Sequence, residues 1–437
     1  MEQIAGFPYF RLEFTKDGAV FKNEQLNDVL ANVPAGTTDL IVVSHGWNND
    51  MAEAQNLYEN LFASVKNQLG QSPAAQRKLA VVGVFWPSKK FAEESQTAGG
   101  GASIGGADDK LRKRVETLES ALGVDLSGAK NAISQLETNP AAQSQFIELI
   151  RAAVKKEVGT PTPDEAREDA SDHFFTAAPP DILDRLRVPP GQPLTPAAPG
   201  GGAASVVGHL PPPSSGGAAG GIGSIFKSIK DRALDVANFA TYFVMKQRAG
   251  LVGKAGLAPV IAKLRQKYPT VRLHLAGHSF GGRLVTAAAA NAEQGSIASM
   301  ALLQAAYSHS GLGTTPDGKD GFFRGVVTGK KVRGPIVITH SDKDTAVGVA
   351  YPIASRLARD NSNALGDAGD PFGGMGRNGA QRASASAQFK LESAVPHAYA
   401  FQPATIYNLN GDAVVKGHSD ITSNQVACAL LSAVAAT

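Results

Sequence analysis

One pentapeptide in this chain has the make-up of a turn that presents a nucleophile. Gly277-His278-Ser279-Phe280-Gly281 follows an apolar run at 271–276 and opens a helix-like stretch at 282–292. A serine held between a strand and a helix in this pattern sits on a sharp, strained turn that projects its hydroxyl. The glycines two residues before and after leave room for the strand and helix to approach each other. A serine hydroxyl is a weak nucleophile near neutral pH. It needs a neutral imidazole to take its proton, and a carboxylate to orient that imidazole and stabilise its charged form. The chemistry to look for is acyl transfer by Ser279, and the partners to look for are one acid and one histidine.

On a parallel sheet such groups belong in loops at the carboxyl ends of strands. The strand predicted at 334–339 runs into His340-Ser341-Asp342-Lys343-Asp344-Thr345-Ala346-Val347. Asp344 is the better-placed acid, far enough into the loop to reach a histidine, and Asp342 is the alternative. The strand end after Leu303 offers no acid, because Gln304 to Gly313 contains none. Among nine histidines, His418 follows the last predicted strand, 405–408, in Gly417-His418-Ser419-Asp420, and is the candidate base. His397 precedes that strand and would enter from the wrong end of the sheet. His340 stands at a strand edge, His278 beside the serine turn and His274 within a strand. His173, His209 and His309 read as surface or pocket residues. A tetrahedral oxyanion needs two preorganised backbone donors. The N–H of Phe280, at the start of the helix after Ser279, is one. Ser44-His45-Gly46-Trp47, just past a buried strand, offers the N–H of Trp47 as the other.

Ser279, Asp344 and His418 each lie just after a successive strand, and the oxyanion loop lies after an earlier one. In this the chain resembles the α/β-hydrolase superfamily. The resemblance rests on Gly277-His278-Ser279-Phe280-Gly281, His45-Gly46-Trp47, Asp344 in its Ser341–Val347 loop, and His418, and covers about 9–87 and 225–433. It implies an eight-stranded, mostly parallel sheet and hydrolysis through an acyl-enzyme, as in serine esterases and lipase-like enzymes. A carboxylic ester is the leading substrate class. A peptidase, amidase or thioesterase would use the same groups, because leaving-group preference lies in the pocket. A non-catalytic binding protein on the same fold is the alternative of a different class.

These loops need elements to hold them. Strands are predicted at 9–15 (an edge strand), 39–44, 79–86, 271–276, 300–303, 334–339 and 405–408, and helices at 52–68, 225–246 and 257–268, with Pro259 in the first turn of the last. Their alternation predicts an α/β fold, a mostly parallel sheet with helices on both faces. The core is expected over 1–95 and 224–437. It is interrupted by an inserted cap or lid region, 96–223, with helical stretches at 108–122 and 129–157 and a Pro/Gly-rich second half expected to be flexible. Many members of the superfamily carry a lid after the strand that follows the serine, so this position departs from their pattern.

Composition narrows the rest. The chain of 437 residues carries a net charge of only +3, from 42 basic and 39 acidic residues, which gives no electrostatic case for nucleic acid. Its one cysteine, Cys428, lies in an apolar run and reads as a small buried hydrophobe. No window reaches the ~18 apolar residues of a membrane span. With no recognisable signal peptide, a cytoplasmic location is expected. The glycine clusters at 99–101 and 373–376 lack a Gly-Lys-Ser/Thr, and there is neither a His-Glu-x-x-His nor a cysteine cluster. No cofactor or metal is expected, and the expected partner is a small-molecule ester. Oligomeric state stays open.

Overall fold

The continuous apolar runs become buried inner strands, and their alternating side chains build two separate cores. The computed structural model describes residues 2–88, 106–187, 227–344 and 368–437. Nine strands are present: β1 (Glu2–Ile4), β2 (Phe7–Glu13), β3 (Asp39–Ser44), β4 (Leu79–Phe85), β5 (Arg272–His278), β6 (Ser299–Leu303), β7 (Ile336–His340), β8 (Ser386–Lys390) and β9 (Ile406–Asn410). They form one sheet in the order β1-β2-β4-β3-β5-β6-β7-β9-β8. All pairings are parallel except β1 with β2. Leu40, Val42, Val82, Leu273, Leu275, Leu302 and Ile338 face one core, and Ile41, Val43, Val81, Ala276, Leu303 and Val337 face the other. That alternation within all-apolar runs is what a sheet covered on both faces requires. The class is therefore α/β, as expected.

Helices Ala107–Leu122, Pro140–Val158, Ile229–Leu251 and Phe280–Ala290 cover the first face, and Met51–Leu69 and Asn424–Ala435 the second. Leu111, Val115, Phe146 and Ile150 join the same core as β3 and β4. Much of the segment read as an insertion thus packs against the helix Ile229–Leu251 as part of the main body. Among the described residues no helix is long and apolar enough to cross a membrane.

Several expectations need correcting. The sheet has nine strands, not the eight implied by resemblance, and β2 is not an edge. A tight hairpin places β1 outside it, with Ile4 opposite Phe7 and both intervening residues at positive φ, 49° for Ala5 and 82° for Gly6. An alanine in that turn gives no turn signal. At the other edge β8, Ser-Ala-Gln-Phe-Lys, is mostly exposed and lacks the apolar run of the inner strands. The helices expected at 225–246 and 257–268 are one continuous rod. A π-helical turn, Val252–Leu257, joins Ile229–Leu251 to Ala258–Lys267. A wider turn just before Pro259 accommodates its missing N–H, so the proline does not end the helix. The helix expected at 129–157 breaks instead, at Asn139, whose side chain caps Pro140–Val158. Residues 159–187, expected to be flexible, contain the short helices Pro163–Asp169, Ser171–Thr176 and Pro179–Arg185. The glycines at 99–101, His209 and the prolines at 189–190 and 211–213 lie outside the described residues.

Candidate active site

β5 lies beside β3, where chain order along the sheet reverses, the place at which open α/β sheets gather their sites beyond the carboxyl ends of the strands. Ser279 stands just past β5 with φ 56° and ψ −125°, a left-handed φ that a non-glycine residue adopts at a cost of about 1–3 kcal/mol. Neighbouring hydrogen bonds hold it there. Its N–H donates to Leu303 O at 3.1 Å, and its carbonyl accepts from Ala306 N at 3.0 Å. The pentapeptide glycines are needed because the backbones touch. A Cβ on Gly277 would lie 2.4 Å from Gly281 O, and one on Gly281 would lie 2.3 Å from Ser44 O.

The predicted partners meet this serine. The Ser279 hydroxyl donates to His418 Nε2 at 2.8 Å, and His418 Nδ1–H donates to Asp344 Oδ2 at 2.9 Å. Asp344 is fully buried and His418 partly exposed. Asp342, the alternative acid, is exposed and turned away. Its backbone N–H donates to Asp412 Oδ1, while Lys343 Nζ donates to Asp412 O, so the acid loop is pinned to the loop after β9. The β9 loop then carries His418 back over Ser279 before the C-terminal helix Asn424–Ala435 begins.

The oxyanion candidates also converge. A Cβ on Gly46 would lie 2.6 Å from Ser279 Cβ, so this loop lies directly against the serine. The rings of Trp47 and Phe280 are 6.1 Å apart, and Phe280 in turn packs 5.2 Å from Tyr242. Among the described residues the backbone N–H groups of Trp47 and Phe280 have no acceptor. The loop is anchored from below. Asp50 and Glu53 form a capping box that starts the helix Met51–Leu69. That helix places Tyr58, whose hydroxyl accepts from His45 N–H at 2.8 Å. Burial drives His45 down to about 4. Neutral, its Nδ1–H donates to Gly46 O at 2.9 Å and its Nε2 accepts from Trp86 N–H at 3.3 Å.

The other histidines take different places. His278 is buried under the turn. Burial, and then the nearby His418, push it down to about 3, and its Nε2–H donates to the carbonyl of His418 at 2.9 Å. His340 ends β7, His397 packs against Tyr399, and His309 lies buried between Asn378 and Arg382. His173 lies in the helix Ser171–Thr176. His274 is more instructive. At the opposite end of the sheet it bridges Ser299 Oγ (2.7 Å) and Asp39 Oδ1 (3.0 Å), a second Ser–His–Asp row. All three are buried, and Ser299 is an ordinary strand residue within β6. Burial on both faces denies this row a substrate. If the row at Ser279 is the reactive one, Ser299→Ala should leave fluorophosphonate labelling and any ester turnover at wild-type levels, measured on the same preparation. A tenfold drop in either would mean that the lower row takes part.

Sequence reasoning missed two residues at the site. Gln304, just past β6, approaches Asp344, and Gly376 lies against the same carboxylate. An amide just past a strand end carries no motif of its own. Among the described residues no three His, Cys, Asp or Glu side chains cluster as metal ligands. Comparison with protein-family models, curated proteins and solved structures finds no match to this chain.

Proposed function

We propose that this protein is a serine hydrolase of the α/β-hydrolase type that cleaves a carboxylic ester through an acyl-enzyme. The observation that carries the reading is the unbroken hydrogen-bond row from Asp344 through His418 to a strained Ser279. A structural serine has no need of a disfavoured φ together with a histidine–carboxylate pair.

In this reading His418 Nε2 takes the hydroxyl proton as Ser279 Oγ attacks the ester carbonyl. Asp344 fixes the tautomer that leaves Nε2 free, and stabilises the imidazolium. The N–H groups of Trp47 and Phe280 hold the oxyanion. His418 then protonates the leaving alcohol, and a water deprotonated by His418 releases the acid. The Trp47, Phe280 and Tyr242 rings beside the serine favour an apolar acyl group. The test is labelling by a fluorophosphonate followed by peptide mapping. Modification is expected on Ser279 alone, and competition with a short-chain p-nitrophenyl ester should suppress it. An unlabelled protein, or a label on another residue, would end the proposal.

A further inference from the structure

Gln304 stands where β6 ends, at the strand end neighbouring the one that delivers Asp344. It is fully buried and has φ 46°. Its amide orientation is fixed by what surrounds it. Nε2 faces two acceptors, Gly376 O at 2.9 Å and Asp344 Oδ2 at 3.4 Å, and a flipped amide would turn its oxygen onto both. The opposite atom, Oε1, is buried with no partner among the described residues. Its backbone is tied to β7, with Gln304 N–H donating to Thr339 O at 3.3 Å. Gly376 closes the arrangement. Its carbonyl accepts from both Ser341 N–H and Gln304, and a Cβ on it would lie 2.9 Å from Asp344 Oδ2. A disfavoured φ and an unsatisfied amide oxygen persist together only where another requirement dictates the residue.

We infer that Gln304 is a positioning residue that holds the Asp344 carboxylate in line with His418, its amide N–H groups bridging the acid and the Gly376 carbonyl. The inference rests on the hydrolase reading for its catalytic consequence, but not for its geometry. Among the described residues the titratable and charged groups near Asp344 include His418 and His278 on the serine side, and Asp342, Lys343, Arg377 and Asp412 along the outer loop. Gln304 adds a donor without adding charge, which preserves the full negative charge that the imidazolium needs.

Two variants test this. Gln304→Met keeps volume and removes the donor. It should lower kcat for a short-chain p-nitrophenyl ester by roughly ten- to a hundredfold, with KM within about twofold, at every pH. Gln304→Glu keeps the shape and can donate only while protonated. It should hold near wild-type kcat on the acid side and lose it as pH rises, adding a descending limb absent from wild type. The downfield proton resonance of His418 Nδ1–H should shift and broaden in the Met variant. Wild-type kcat and an unchanged resonance in Gln304→Met would overturn the inference, as would a Gln304→Glu profile parallel to wild type. If Gln304→Met fails to fold, the Gln304→Glu profile decides alone. The resonance needs no substrate, so a protein inactive on all esters but with the resonance altered in the variant sinks only the hydrolase reading.

Discussion

Ser279→Ala should cut turnover of a short-chain p-nitrophenyl ester by roughly five to six orders of magnitude while the protein remains folded. The size follows from the arrangement rather than from the serine alone. In the acylation step of the proposed reaction His418 takes its proton from the hydroxyl 2.8 Å away, and the Asp344 contact acts through His418. Residues acting as such a unit are not additive, so a Ser279→Ala/His418→Ala double variant should be no slower than either single one. Asp344→Asn leaves the serine and imidazole in place but favours the wrong tautomer, and should cost roughly four orders of magnitude. Circular dichroism should be unchanged in Ser279→Ala, because alanine keeps the Cβ against Gly46 and removes only the hydroxyl. Turnover within tenfold of wild type, in Ser279→Ala protein shown by mass to be free of wild type, would rule out Ser279 as the nucleophile.

The sequence carries these groups legibly because each is tied to the end of a strand. The β-branched run at 41–43 and the alternating Leu273 and Leu275 before the pentapeptide read as strands, and on a parallel sheet the residues just past such strands lie at one edge. Ser279, His45-Gly46-Trp47, Asp344 and His418 all follow from that one placement. What did not show was geometry with no local signal. The β1–β2 hairpin turns on an alanine at positive φ, and β8 is an exposed edge without a core face. Pro259 signals the start of a helix, yet the packing of a π-helical turn against the helix Phe280–Ala290 carries the rod straight through. A Cβ on Gly253 in that turn would lie 2.2 Å from Leu284 O. Gln304 was invisible for another reason: its role depends on a loop from a different strand arriving at its amide.

Acidification should destabilise this protein steeply between about pH 6.5 and 4, through histidines that have no part in the proposed reaction. His45 is driven by burial to about 4. His278 and His309 are driven, first by burial, to about 3. His274 and His340 shift in the same direction for the same first cause. In each case the unfolded chain takes up a proton near pH 6.5 while the native chain takes it up only at lower pH. Their stabilisation is therefore complete above 6.5 and is lost as pH falls toward the folded values. One pKa unit is about 1.4 kcal/mol per group, so three such histidines set against a total stability of about 5–15 kcal/mol are decisive. Acids raised by burial oppose them: Asp235, held above the usual carboxylate range, and, further up, Glu168. Burial raises Glu168 to about 7, and its carboxylate accepts from Phe322 N–H at 2.7 Å beside Arg283, Lys246 and Asp169. An acid with a raised native value favours the fold increasingly as pH falls from 7 toward its unfolded value near 4.3, so Glu168 partly offsets the histidines in that window. Below it the offset is exhausted, and carboxylates held below their usual range, Asp39 and Glu165 among them, add to the loss. Calorimetric melting from pH 7.5 to 4 should show Tm falling by more than about 10 °C. Glu168→Gln, which removes the offset, should melt higher than wild type above pH 7 and fall more steeply on acidification. A Tm constant across that range would mean that these histidines are charged or solvated in the native protein, and that the packing described around them is wrong.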